Sequence, residues 1–361
     1  MPQPLRASSS LLLPRHVSNP VPGKAGKTTR SIVRVTILGA GAWGTALACT
    51  LCSRHPTMLW ARSAQQADGM QSTRRNDRYL PGRELDPALG ITSDLDVALE
   101  HASDGLLFLA VPIASLRALV RQLQQRCFAG PCIWLCKGLE RDTGMLAHQI
   151  IADEMPRNAA GPLSGPSFAE EVAQGLPTAL VVAGTRELCE RVTATVHGGN
   201  LRIYSTDDVV GVEVGGAVKN VMAIATGIAD SLHLGHNARA ALITRGLTET
   251  SRFGQALGAR AETFTGLTGL GDLILTATGD PSRNRRIGLA LGKGIALGDA
   301  VAGLGHVAEG VWSAPAIVAR ARALRIEMPI SEAVCAVLEG RTSPRNAVER
   351  LLSRDPRAEV S

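Results

Sequence analysis

The stretch Ile37-Leu38-Gly39-Ala40-Gly41-Ala42-Trp43-Gly44-Thr45-Ala46 decides the fold. Upstream of it, residues 32–38 are β-branched and apolar and read as a strand. Downstream, residues 42–52 carry an apolar helical pattern. Gly39-x-Gly41-x-x-Gly44 therefore closes a strand and opens a helix, the context in which a GxGxxG sequence binds a dinucleotide. Gly39 allows the tight turn, Gly41 lets a pyrophosphate approach the backbone, and Gly44 permits close helix–strand packing. The helix amino terminus adds unpaired N–H groups and a positive dipole end. A glycine-rich turn in an unrelated α/β protein is the bland alternative, and the strand–turn–helix context weighs against it.

Working outward, the same alternation continues. Residues 57–60, 105–111, 132–136, 178–182 and 201–204 are short apolar runs with helical patterns between them. Buried strands separated by helices indicate βαβ units and a mainly parallel sheet. After about residue 207 the strand signal stops and helical patterns run on to 352. The expected architecture is α/β plus all-α: a Rossmann-like dinucleotide-binding domain over 32–206, then an all-helical substrate and catalytic domain over 207–361. No internal repeat is evident.

Composition limits the function classes. The chain has 361 residues, 45% hydrophobic and 19% charged, enough apolar content for a large core and too much for disorder. Of the +6 net charge, Arg6, Arg15, Lys24, Lys27 and Arg30 supply nearly all, and residues 1–30 contain no acid. Residues 1–31 read as a disordered or leader extension, or as translation from an upstream start. The remaining body is too balanced for a nucleic-acid footprint. No apolar run is expected to reach the ~18–20 residues of a spanning helix; residues 105–114, interrupted by Pro112, come closest. Seven cysteines in a long chain read as reduced thiols in a cytoplasmic protein. Cys49 and Cys52 have metal-like spacing but fall in an apolar helical run without a second ligand pair, so no metal is expected.

Three further places carry chemistry. Beyond the strand 57–60, where an NAD enzyme usually holds an acid for the ribose 2′-hydroxyl, stand Ala61, Arg62 and Ser63. A guanidinium there suits a 2′-phosphate and favours NADP over NAD, against the alternative of a surface arginine. Between residues 209 and 229 the only charges are Glu213 and Lys219. A lysine on so apolar a helix either snorkels to water or sits buried, where its pKa falls toward the range useful for proton transfer. Gly215 and Gly216, one turn earlier, leave room for a substrate or another backbone. In the third stretch Asp272 is the sole acid of the glycine-rich segment 265–272, suited to pairing with a buried lysine. Asp280-Pro281 reads as a helix start, with Ser282, Arg283 and Asn284 in an opening turn that suits a phosphate monoester. Arg285 and Arg286 read as a solvated pair.

Together these residues resemble a known family. The segments 37–46, Cys136-Lys137-Gly138-Leu139-Glu140, Ser164-Gly165-Pro166-Ser167-Phe168-Ala169, Gly215-Gly216-Ala217-Val218-Lys219-Asn220, Gly269-Leu270-Gly271-Asp272, Ser282-Arg283-Asn284 and Val307-Ala308-Glu309-Gly310 occur in the order seen in bacterial NAD(P)-dependent glycerol-3-phosphate dehydrogenases. Residues 237–246 and 327–330 are similar to that family as well, and the resemblance runs from about 34 to 352.

The resemblance implies a helical domain of the 6-phosphogluconate-dehydrogenase-like type and a homodimeric enzyme that reduces dihydroxyacetone phosphate to sn-glycerol 3-phosphate for glycerophospholipid synthesis. Lys219 would be the general acid in reduction and base in oxidation, with Lys137 and Asp272 beside it. Gly165, Ser167, Asp272, Ser282, Arg283 and Asn284 would hold substrate, with Lys137 and Lys219. Gly39, Gly41, Ala42, Trp43, Gly44, Arg62, Lys137, Ala169, Arg283, Val307 and Glu309 would face NADP(H), with NAD(H) also accepted. Ala42 stands where many relatives have Ser, and Ser167 where Thr is frequent. Two rivals are a β-hydroxyacid-type dehydrogenase, disfavoured by the segments 269–272 and 282–286, and a non-catalytic NADP-sensing regulator, which has no use for Lys137, Lys219 and Asp272 together.

Overall fold

Strand β1 (Val35–Leu38) is four apolar or β-branched residues, all buried, and the sheet grows outward from it. It pairs in parallel with β2 (Thr57–Trp60) on one side, Val35 opposite Thr57, and with β6 (Leu106–Leu109) on the other, Val35 opposite Leu106. A small antiparallel pair, β3 (Arg75–Asn76) and β4 (Leu80–Glu84), lies apart from this sheet. The remaining strands are β5 (Gly90–Thr92), β7 (Cys132–Trp134), β8 (Ala160–Ser164), β9 (Thr178–Ala183) and β10 (Leu201–Thr206). The main sheet runs β10-β9-β8-β7-β6-β1-β2-β5, parallel except where β8 meets β9. After β5 the chain crosses β1 to form β6, so the strand order reverses between β1 and β6. A crevice opens at the carboxyl ends of strands at such a reversal.

The computed structural model describes residues 32–304 and 308–353; the extension 1–31 lies outside the described residues. Alternation along β6 gives the sheet two covered faces. Leu106 and Phe108 share a core with the helix Ala42–Leu51, whereas Leu107 and Leu109 share another with the helix Ile113–Gln125. A third core belongs to the helical part, where Val214, Val218, Val221 and Met222 pack with Phe253, Ile287 and Ile317 around the helix Val209–Ser231. The chain from Ile32 onward forms one contact unit containing both parts.

Several expectations need correction. The helix Val209–Ser231 is long and apolar enough to cross a membrane, with a mean hydropathy of 1.3 over its best window, although no such run was expected. Its apolarity serves the core, since 89% of that window is buried inside the protein. Gly227 and Gly288 explain how it is covered: a Cβ on Gly227 would stand 2.1 Å from the Arg285 carbonyl oxygen, and one on Gly288 2.1 Å from that of Ile224. This backbone contact lays the helix Arg283–Gly292 directly across it.

The helix start read at Asp280-Pro281 also moves. Asp280-Pro281 does not cap; Ser282 does, its Oγ accepting from the Arg285 N–H at 3.3 Å, and the helix begins at Arg283. Asp280 instead accepts from Arg285 Nη1 at 3.0 Å. Arg285 is not solvated: it is buried and also pairs with Asp230 at 2.7 Å. β8 was missed because Gly161 and Pro162 read as a turn, and β4 because Pro81-Gly82 does.

Candidate active site

The glycine turn occupies the crevice between β1 and β6. Gly39 has φ +124°, and a Cβ there would come within 2.4 Å of the Ala110 carbonyl oxygen, so only glycine lets β1 turn beside β6. A Cβ on Gly44 would lie 2.0 Å from the Gly39 carbonyl oxygen, whereas one on Gly41 would meet nothing within 4 Å. The helix Ala42–Leu51 starts at Gly41 with no side-chain cap and no acid in its first turn. Open space at Gly41 above an uncapped amino terminus fits a dinucleotide pyrophosphate. Two residues absent from the sequence reading brace this turn: the Ala40 carbonyl accepts from Gln66 Nε2 at 2.8 Å and from Asn76 Nδ2 at 3.0 Å. Arg62 is exposed immediately past β2, where a 2′-phosphate would need it.

Trp43 joins this turn to the end of β8. Its Nε1 donates to Ser167 Oγ at 3.2 Å, and Ser167 Oγ donates to the Gly165 carbonyl at 3.2 Å. Gly165 sits at φ +141°, and Ala169, buried, opens the short helix Ala169–Ala173.

Across the crevice lies a buried ionic cluster. Lys219 is 8% exposed and Asp272 0%. Lys219 Nζ donates to Asp272 Oδ1, and Lys137 Nζ, from the loop after β7, donates to Asp272 Oδ2 at 2.7 Å. One carboxylate thus bridges two ammonium groups from different elements. Lys219 Nζ also donates to Thr276 Oγ1 at 2.9 Å, leaving one of its three protons for a ligand. Burial lowers the Lys219 pKa from an ordinary 10.5 to about 7; Asp272 pulls it back up and the neighbouring charge of Lys137 pushes it down. An amine titrating there can give or take a proton near neutrality. Gly215 supplies the room expected of it, and the occupant is another backbone: a Cβ would lie 2.3 Å from the Thr268 carbonyl oxygen. The segment carrying Asp272 is thereby seated on the helix carrying Lys219.

The opening turn of the helix Arg283–Gly292 completes the site. Ser282 and Asn284 are buried and Arg283 is exposed. Asn284 Nδ2 donates to Asn220 Oδ1 at 2.9 Å, and its Oδ1 accepts from the Gly310 N–H at 3.0 Å, so it ties this turn to Lys219's neighbour and to the helix Glu309–Ala323. Burial raises the Glu309 pKa, while Arg283, Lys137 and Lys219 act on it as cations. Val307 lies outside the described residues. Thr276 and Asn220 were not singled out from sequence; Thr276 lies one helical turn after Asp272 and Asn220 directly follows Lys219, which was the available signal. Cys49 and Cys52 are partly buried, and burial pushes both thiol pKa values up, that of Cys49 to about 11.

Comparison with known proteins gives these positions a setting. Residues 34–189 match the N-terminal region, and 208–349 the C-terminal region, of NAD-dependent glycerol-3-phosphate dehydrogenases. The chain is 60% identical over 332 residues to glycerol-3-phosphate dehydrogenase (NAD(P)+) of Burkholderia lata, covering 91% of this chain and all of that one. A crystal structure of glycerol-3-phosphate dehydrogenase from Coxiella burnetii is 40% identical, with a TM-score of 0.86 over 90% of this chain and 99% of that one. The Plasmodium falciparum glycerol-3-phosphate dehydrogenase, at 19% identity and a TM-score of 0.79 over 91% of this chain and 97% of that one, shares the fold. With a Rossmann-like parallel sheet, a helical C-terminal part and this similarity along both, the chain belongs to the NAD(P)-dependent glycerol-3-phosphate dehydrogenase family.

Proposed function

We propose that this chain catalyses the reversible reduction of dihydroxyacetone phosphate to sn-glycerol 3-phosphate, with NADPH favoured and NADH accepted. The observation that carries the reading is Lys219, held by the buried Asp272 beside Lys137 and titrating at about 7. A bound nicotinamide would supply the hydride that the carbonyl carbon accepts. Lys219 Nζ gives its proton to the carbonyl oxygen in that direction and takes it from the hydroxyl in the other. Asp272 keeps the ammonium oriented. Ser282, Arg283 and Asn284 hold the phosphate at a helix amino terminus, Arg283 as the charged partner. Gly165 and Ser167 line the substrate from the β8 side.

For the cofactor, Gly39, Gly41, Ala42, Trp43 and Gly44 would hold the pyrophosphate and Arg62 the 2′-phosphate. Lys137, Ala169, Arg283 and Glu309 would face the nicotinamide half. The working form is a cytoplasmic homodimer supplying glycerophospholipid synthesis, with 32–206 and 207–361 as its two domains. Absorbance at 340 nm tests the reaction, with NADPH and dihydroxyacetone phosphate against NADH and unphosphorylated dihydroxyacetone. Turnover that requires the phosphate supports the reading. NADPH binding without turnover would transfer it to a β-hydroxyacid-type dehydrogenase or a sensor.

A further inference from the structure

The helix Val209–Ser231 carries a second buried charge that proton transfer does not use. Glu213 is 7% exposed and lies on the same helix as Lys219. Its Oε1 accepts from the His148 backbone N–H at 2.9 Å, and its Oε2 pairs with His148 Nδ1. His148 stands in the first turn of the helix Ala147–Glu154. That helix needs an acceptor for its leading N–H groups, and Leu146, at its cap position, has no polar side chain to offer. A carboxylate from the helical part of the fold fills the role, with the sign the helix dipole favours.

The position of this cap gives it a consequence for the site. The helix Ala147–Glu154 directly follows the loop that leaves β7 and carries Lys137. The loop is fixed at three further points. Lys137 Nζ reaches Asp272. Gly138, at φ +121°, passes so close to the helix Glu309–Ala323 that a Cβ would lie 2.3 Å from Ser313 Oγ. Glu140 accepts from Arg117 Nε at 2.9 Å. Glu213 is therefore a hydrogen-bonded tie from the far end of the Lys137 loop to the very helix that carries Lys219, beside the apolar packing of Leu139 and Leu146 in the core built on that helix.

We propose that Glu213, acting through His148 and the first turn of the helix Ala147–Glu154, is a positioning residue that sets where Lys137 stands relative to Lys219. This rests on the reading of Lys137 as a ligand-facing group. Misplacement of a reacting or binding group by about 1 Å costs on the order of 10²-fold in rate. The coupling is measured by kcat and KM for Glu213→Ala, Glu213→Gln and His148→Ala, each alone and combined with Lys137→Ala, with melting temperature followed throughout. Glu213→Ala and His148→Ala are expected to lower kcat/KM about 10–10²-fold when Lys137 is present, and less than about 3-fold further once it is gone. Glu213→Gln keeps an acceptor for the His148 N–H and is expected to retain more activity than Glu213→Ala. His148 is partly exposed, so its variant gives a result even where Glu213→Ala fails to fold.

Losses that multiply in the Lys137→Ala background would show a general structural effect and overturn the proposal, leaving the reading of Lys137 intact. Full activity of the folded Glu213 and His148 variants would overturn it as well. Unimpaired activity of Lys137→Ala alone would instead remove the reading on which it rests.

Discussion

At the residue scale the chemistry turns on how one ammonium is kept buried. Lys219 loses its hydration shell, Asp272 returns only part of that stabilisation and the Lys137 charge opposes it, so its pKa settles at about 7. With Lys219 as the proposed proton donor, reduction uses the protonated amine, so its rate is expected to fall as pH rises through about 7. Oxidation needs the free amine and is expected to rise over the same interval. Lys219→Ala should lower kcat by about 10²–10⁴-fold with little change in cofactor affinity; unimpaired turnover would remove the assigned role. Because Asp272 raises the Lys219 pKa, Asp272→Asn should move the falling limb of the reduction profile to lower pH. A pH–rate profile that stays in place would mean that Asp272 does not tune the amine. At Arg62, an alanine should raise KM for NADPH and leave NADH nearly unchanged, whereas equal losses with both cofactors would contradict the 2′-phosphate assignment. Lys219 and Asp272 were legible because each is an isolated charge in an apolar segment. Thr276 and Asn220 were not, since a single hydroxyl or amide on a helix says nothing of what crosses it.

At the element scale, close backbone approach decides what the site contains. Gly215 lets the Thr268 carbonyl rest on the helix Val209–Ser231, and Gly227 with Gly288 does the same for the helix Arg283–Gly292. Asp272 and the phosphate-suited turn reach Lys219 because of these contacts. Gly215→Ala would improve helix propensity by about 1 kcal/mol, yet it drives a methyl group into a backbone carbonyl. The clash should win, at about 1–3 kcal/mol, lowering the melting temperature and kcat together. A variant as stable and active as the parent would show that the segment 265–272 can shift without disturbing Asp272. Strands β1, β2, β6, β7, β9 and β10 were legible from apolar runs, the first, third and fourth of them shorter than their runs and the last two slightly longer; β4 and β8 were hidden by Pro–Gly and Gly–Pro pairs that elsewhere mark turns, and β3 and β5 by being only two and three residues long.

At the scale of the whole molecule, Glu249 shows how burial couples stability to pH. It lies 3% exposed on the helix Gly235–Ala256 and caps another, the helix Pro329–Leu338, accepting from the Ile330 and Ser331 N–H groups at 2.6 and 3.2 Å. Burial nevertheless raises its pKa from 4.5 to about 7. The folded chain then holds this proton more tightly than the unfolded chain, so the contribution is complete below 4.5 and lost as pH rises through about 7. Glu249→Gln preserves an acceptor and should flatten the decline in melting temperature between these pH values, ending at or above the parent at pH ~8. Parallel melting curves for both proteins across that range would refute this account. The sequence by itself determined the alternating α/β part, the helical part and the dinucleotide turn. Local sterics and hydrophobic periodicity act between near neighbours and are written directly in residue order. Only tertiary structure decided that Asp272 is shared by Lys137, 135 residues away, and Lys219, 53 residues away. It also decided that Glu213 caps a helix of the sheet part and that Lys219 titrates near neutrality. Those properties depend on which groups packing brings together and how completely it removes water, and residue order alone sets neither.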